Sequence, residues 1–251
     1  MKQLMFLLMC LILGSTALQA QDAREIIRKS EEKRRGVSSS KAEMTMTIIR
    51  PEWTRSMSLK AWSKGDDYAL VVVTAPARDQ GSVTLKRGKE VWNWMPRVER
   101  TVKLPPSMMS QSWMGSDFTN NDLVQEVSLV DDYTQKVLKD STIEGRPCWK
   151  IEMVPLEETA VIWSKVHLFV DKKDYLQLRS EFFDEDGYRV TIMQGSGIKT
   201  MGGRIFVSRL EMVPLDKKGQ KTILEYSSLV FDQAIPETFF SVQNMSKASS
   251  F

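Results

Sequence analysis

Cysteine and histidine are almost missing from this chain. Its 251 residues hold two cysteines and one histidine. Cys10 lies in an apolar leader, so a chain processed behind that leader keeps only Cys148 and can form no internal disulfide. One thiol and one imidazole cannot supply an ordinary zinc site, and no cofactor-binding motif is present. There is no Gly-x-Ser-x-Gly elbow and no phosphate loop. Gly195-Ser196-Gly197-Ile198-Lys199-Thr200 resembles the end of such a loop, but it lacks the spacing and is expected between strands. Asp184-Glu185-Asp186-Gly187 lacks the later glutamate of a calcium loop. Asp117 and Asp122 could be imagined as a carboxylate pair. Asp117 and Asn120 read more simply as caps of short helical turns. These absences argue against an enzyme.

An excess of one charge is missing too. Thirty-five basic and 32 acidic residues leave a net charge of +3, with both signs mixed throughout. No basic stripe exists, so no nucleic-acid partner is expected. Long apolar runs are absent beyond the first residues. Lys2, the run Leu4 to Leu13 and then Ala17-Leu18-Gln19-Ala20 have the form of a secretory signal peptide cleaved after Ala20. The run is too short to span a bilayer, and Cys10 is a poor lipidation site because apolar residues follow it. Residues 1–20 are thus read as a leader and 21–251 as one domain, exported, soluble and held by a conventional core. Cys148, in the strand-like Cys148-Trp149-Lys150-Ile151-Glu152-Met153, is expected to be structural.

Alternation dominates what remains. Ala42, Met44, Met46 and Ile48 alternate with Glu43, Thr45 and Thr47, the period of a half-buried strand. The same pattern recurs at Met57-Leu59-Ala61, Val166-Leu168-Val170, Leu176-Leu178, Val190-Ile192 and Phe206-Leu210-Met212. Asp184–Gly187 and Asp216–Gly219 separate such runs as hairpin turns. In Lys165-Val166-His167-Leu168, His167 alternates outward and is expected to be solvated. One long helix is predicted, capped by Asp22, running to about Arg35 and ended by Gly36. About eleven strands at hairpin spacing predict a mainly β fold, an unclosed and strongly curved antiparallel barrel covered by the N-terminal helix and a short helical lid.

That lid is the stretch Ser107–Asp122. Met108, Met109, Trp113 and Met114 have the spacing of a short helix with one apolar side, cut off by Pro105-Pro106 and Gly115. Such a flap either plugs the core of its own sheet or offers an adaptable apolar surface to a ligand, since methionine is flexible and polarizable.

Several motifs carry a family resemblance. They are Gly81-Ser82-Val83-Thr84-Leu85-Lys86, Val91-Trp92-Asn93-Trp94-Met95-Pro96, the segment Arg97 to Arg100, Lys103-Leu104-Pro105 and Trp113-Met114-Gly115-Ser116-Asp117-Phe118. Arg146-Pro147-Cys148-Trp149-Lys150-Ile151, Val170-Asp171 and Arg204-Ile205 suit the same pattern. Together they resemble the bacterial outer-membrane lipoprotein-sorting family of LolA-like periplasmic carriers, over about Arg24 to Phe240. The resemblance implies an open barrel whose apolar cavity accepts acyl chains, and a monomeric periplasmic carrier with no cofactor. Its partners would be lipoprotein acyl chains or another lipid, an inner-membrane exporter and an outer-membrane acceptor. Trp92, Trp94, Met108, Met109, Trp113, Met114 and Phe118 are the expected cavity and lid residues. Arg97 and Arg100 are candidate latches that hold the lid and release it on loading. The alternative is a periplasmic β domain that carries nothing and binds a protein partner of a membrane exporter.

Overall fold

The computed structural model describes residues 15–36, 38–124, 127–159 and 161–250. Most of the expected leader, with Cys10, lies outside them. Helix α1 spans Ser15–Arg35. It begins before Asp22, which therefore lies inside the helix and is not its cap. The far end agrees with the sequence: Gly36 takes φ +84° and its N–H donates to the Glu32 carbonyl at 3.1 Å. A side chain there would strike the Phe231 ring at 2.8 Å. Ala23, Ile26, Ile27 and Ser30 form the buried stripe.

Among the described residues fourteen strands follow, not about eleven. They are β1 (Ser39–Arg50), β2 (Trp53–Lys64), β3 (Tyr68–Ala75), β4 (Val83–Arg87), β5 (Glu90–Met95), β6 (Arg100–Lys103), β7 (Tyr133–Val137), β8 (Ser141–Ile143), β9 (Arg146–Pro155), β10 (Lys165–Asp171), β11 (Gln177–Phe183), β12 (Arg189–Met201), β13 (Arg204–Pro214) and β14 (Lys221–Phe231). All pairings are antiparallel, in the order β6-β5-β4-β3-β2-β1-β14-β13-β12-β11-β10-β9-β7, with β8 beside β7 on the edge of β9. β6 and β7 do not meet, so the barrel stays open. Both anticipated hairpins occur, between β11 and β12 and between β13 and β14. Gly195-Ser196-Gly197 lies inside β12 and not between strands. Gly195 sits against Val207 and the Gln177 carbonyl, where a Cβ would come within 2.8 and 3.0 Å.

The main core lines the concave face. Met44, Met46 and Ile48 of β1 meet Met57 and Leu59 of β2, Ile151 and Met153 of β9 and Leu168 of β10, with Ile26 and Ile27 of α1 closing over them. At this level the expected alternation holds. The sheet is also covered outside. Trp62, Leu70, Val72, Val83 and Leu85 pack under Phe240, Met245 and Ala248 of the C-terminal segment, whose last turns form a 3-10 stretch, Val242–Ser250. Buried on both faces, β3 reads as the continuous apolar run Ala69-Leu70-Val71-Val72-Val73. Buried Cys148 joins Phe169, Leu176, Leu178 and Val207 in a second outer cluster, the structural place expected for it.

Candidate functional site

A cavity of about 250 Å3 lies between the concave sheet, α1 and the flap. Its methionines are on strands: Met44 and Met46 from β1, Met153 from β9 and Met193 from β12. Period two explains them, because alternate side chains of a strand share one face. Leu168, Phe182, Phe206 and Leu224 complete much of the apolar wall. Two polar pairs lie in its wall, while the buried Ser30 hydroxyl of α1 has no hydrogen-bond partner among the described residues. Gln177 Nε2 donates to Ser180 Oγ at 2.9 Å, and the Trp163 indole N–H donates to the Tyr133 hydroxyl at 3.1 Å. Burial pushes the Tyr133 phenol up to about 12, so it stays neutral. A smaller cavity of about 120 Å3 shares Asp122, Trp163 and Phe182 with the larger one. Those three side chains form the partition between the two.

The flap is built differently from the expected helical lid. Pro106–Met108 makes one 3-10 turn, and the chain then bends at Met114 (φ +51°) and Gly115 (φ +82°). Ser112 bridges Thr119, and a short helix α2, Asn120–Val124, follows. Thr119 caps α2. Its hydroxyl accepts the Asp122 N–H at 3.1 Å, and Asp122 Oδ2 accepts the Thr119 N–H at 2.8 Å, a reciprocal box. Neither Asp117 nor Asn120 is the cap. The Asn120 amide donates to the Met108 and Gln111 carbonyls at 2.9 and 3.2 Å and pins the flap to itself.

The structure divides the expected cavity residues among several places. Phe118 lines the cavity, beside Leu123 and Val124 of α2. Trp113 is buried in the main core, with Met114 packed against it, and the Trp113 indole N–H donates to Thr84 Oγ1 at 3.2 Å. Met109 belongs to a satellite cluster with Ala69, Val91, Leu104 and Val124, and Met108 packs on it. Trp92 and Trp94 stand on the opposite face of β5, in the outer core under the C-terminal segment. Register explains this: Trp92 pairs with Leu85 and Trp94 with Val83, both outward. Asn93 points inward instead, accepting from Thr84 Oγ1 at 2.8 Å.

Arg97 and Arg100 are exposed and form no ion pair among the described residues. The flap is held by Arg50, at the end of β1. Its guanidinium grips Asp117 twice, at 2.9 and 3.1 Å, and donates to the Gly115 carbonyl at 2.7 Å. Thr222 of β14 adds a hydroxyl bond to Asp117 at 2.7 Å. Arg55 reaches the Met114 carbonyl at 3.4 Å and Asp79 at 2.6 Å.

His167 is not solvated. Its side chain is 12% exposed, 3.4 Å from Glu152 and 3.9 Å from Glu181, with its ring edge-on to Phe183. Burial lowers its pKa, assisted by Lys150. Among the described residues, no group of three His, Cys, Asp or Glu side chains could hold a metal, and no helix is long and apolar enough to cross a membrane.

Comparison with known proteins adds the family. No curated protein sequence matches the chain. Solved structures that share its fold include the following three. A DUF1329 family protein from Desulfovibrio piger is 23% identical, with a TM-score of 0.82 over 90% of this chain and 99% of that one. A putative outer membrane lipoprotein-sorting protein domain from Vibrio parahaemolyticus is 22% identical, with a TM-score of 0.80 over 90% and 99%. The LolA superfamily protein NE2245 from Nitrosomonas europaea is 22% identical, with a TM-score of 0.76 over 88% and 98%. A family model described as "-like: Uncharacterized protein" matches residues 65–247. The chain therefore belongs to that family and has the open-barrel fold of the LolA superfamily.

Proposed function

We propose that this protein is a periplasmic carrier that takes acyl chains of a lipoprotein or lipid into the cavity and moves them towards the outer membrane. The observation that carries this reading is the apolar cavity of about 250 Å3 between sheet, helix and flap. A core evolved only for stability closes such space, because voids cost free energy. An acyl chain in water needs such a place, since each methylene removed from water is worth about 0.8 kcal/mol. Strand methionines adapt to chains of different shape, which keeps affinity moderate and release feasible. Transport of this kind needs no catalytic group. The lipoprotein-sorting description of the Vibrio structure points the same way. The working form is a monomer that meets an inner-membrane exporter and an outer-membrane acceptor.

Filling the cavity tests the idea. Ala61 of β2 is half-buried and lines the void. Ala61→Trp should weaken uptake of a fluorescent C16 fatty acid at least tenfold while the melting temperature changes little. Wild-type protein that takes up no lipid, or a folded Ala61→Trp variant that takes it up normally, would refute the carrier reading.

A further inference from the structure

The last turn of α1 brings three cations to a largely apolar cavity. Lys33, Arg34 and Arg35 all line it, next to exposed Gly65 and Asp66, where the void opens to solvent. Their counter-charges are few. Arg34 Nη2 and Arg35 Nε both lie 2.8 Å from the same oxygen, Glu31 Oε2. Arg35 also reaches Asp66 at 2.6 Å, but that carboxylate is 75% exposed. Lys33 forms no ion pair among the described residues. Two guanidiniums thus share one buried carboxylate, and burial together with the Arg34 charge lowers the Arg35 pKa. Burial pushes up the Tyr226 phenol and the Asp122 carboxyl in the cavity wall, and the Arg34 charge opposes that shift at both. Basic residues at a helix C-terminus complement its dipole. That does not require them to face an apolar void.

We propose that Lys33, Arg34 and Arg35 form a head-group site for a single-chain anionic amphiphile, with its carboxylate or phosphate at the opening and its tail along Met44, Leu168 and Phe206. This deepens the carrier reading and rests on it. An anion there would give the crowded guanidiniums a second partner through charge-assisted hydrogen bonds. The tail supplies affinity, and the head supplies selectivity and orientation.

The test displaces a neutral fluorescent probe, N-phenyl-1-naphthylamine, from the full chain with palmitate, hexadecyl phosphate or hexadecanol. At low salt one or both anions should displace it at roughly tenfold lower concentration than the alcohol, and added salt should narrow the gap. An advantage confined to palmitate or to the phosphate identifies the head group. Arg34→Met should reduce the preference. Lys33→Met should do so without removing a buried ion pair, so the test does not depend on the Arg34 variant folding. Equal displacement by all three compounds would overturn the head-group site and leave the carrier reading standing. A preference unchanged in both folded variants would also overturn it. Failure of all three compounds to displace the probe would remove both readings.

Discussion

Arg50→Met should release the flap. The Arg50 side chain is 12% exposed and its Asp117 partner 8%. The pair is bidentate, and the Gly115 carbonyl takes a third bond from the same guanidinium. Methionine keeps much of the aliphatic stem but leaves the Asp117 carboxylate buried, with the Thr222 hydroxyl as its remaining partner in this group. Removing one member of a buried pair costs about 3–5 kcal/mol, because the other charge stays desolvated. If the flap and barrel unfold together, the melting temperature should fall by about 6–20 °C, at 2–4 °C per kcal/mol for a chain of this size. If the flap opens alone, the same loss appears as roughly 10²–10⁴-fold faster hydrogen exchange at the Trp113 and Asp117 amides. Those amides bond Phe118 O and Thr222 Oγ1 at 2.9 Å each. Arg100→Met is the control: on the exposed edge strand it should change stability by less than about 0.5 kcal/mol. The reasoning fails if Arg50→Met alters neither melting nor flap exchange, or if Arg100→Met matches its effect.

His167, the one histidine of the chain, should titrate below its ordinary 6.5, because burial and Lys150 disfavour the imidazolium. A depressed base contributes stability that is present above the unfolded pKa and lost as pH falls through the folded one, so acid should destabilise this site; an NMR midpoint at or above 6.5 would contradict the assignment. Export should leave a mature chain beginning at Gln21, which intact-mass measurement of periplasmic protein reads; a chain retaining Met1 would contradict cleavage after Ala20.

The fold is legible wherever one face of a strand is buried and the other is wet. In β1, Ala42, Met44, Met46 and Ile48 are all buried, and period two says so directly. The strands that escape a pattern search obey other rules. β6 is exposed along all four residues, β8 has three residues, and β4 is buried at four consecutive positions. β6 and β8 therefore offer no buried apolar face to a pattern search, which leaves the expectation of about eleven strands short of the fourteen that form among the described residues. The run Ala69 to Val73 does carry a signal. Five consecutive apolar residues in a short strand call for cover on both faces, which points to the C-terminal segment that packs outside.

The site is legible in kind but not in placement. The sequence pointed to Met108, Met109 and Met114 of the flap, whereas the methionines that face the void come from β1, β9 and β12. In the flap, a spacing of i, i+1, i+5, i+6 is necessary for a one-sided helix but not sufficient for any helix. Pro105 and Pro106 confine the helical start to one 3-10 turn, and positive φ at Met114 and Gly115 ends any continuation. Each apolar side chain then takes the nearest hydrophobic surface, which differs between Met109 and Trp113. Thr119-x-x-Asp122 was the local signal for the helix that does form, and its chemistry needs no tertiary information. Arg50 gave no comparable signal. It lies 67 residues from Asp117, and only the pairing of β1 with β14 brings the arginine, Thr222 and the flap together. A latch assembled across a sheet is specified by strand register, so charge spacing near the flap pointed to Arg97 and Arg100 while the restraint sits at the end of β1.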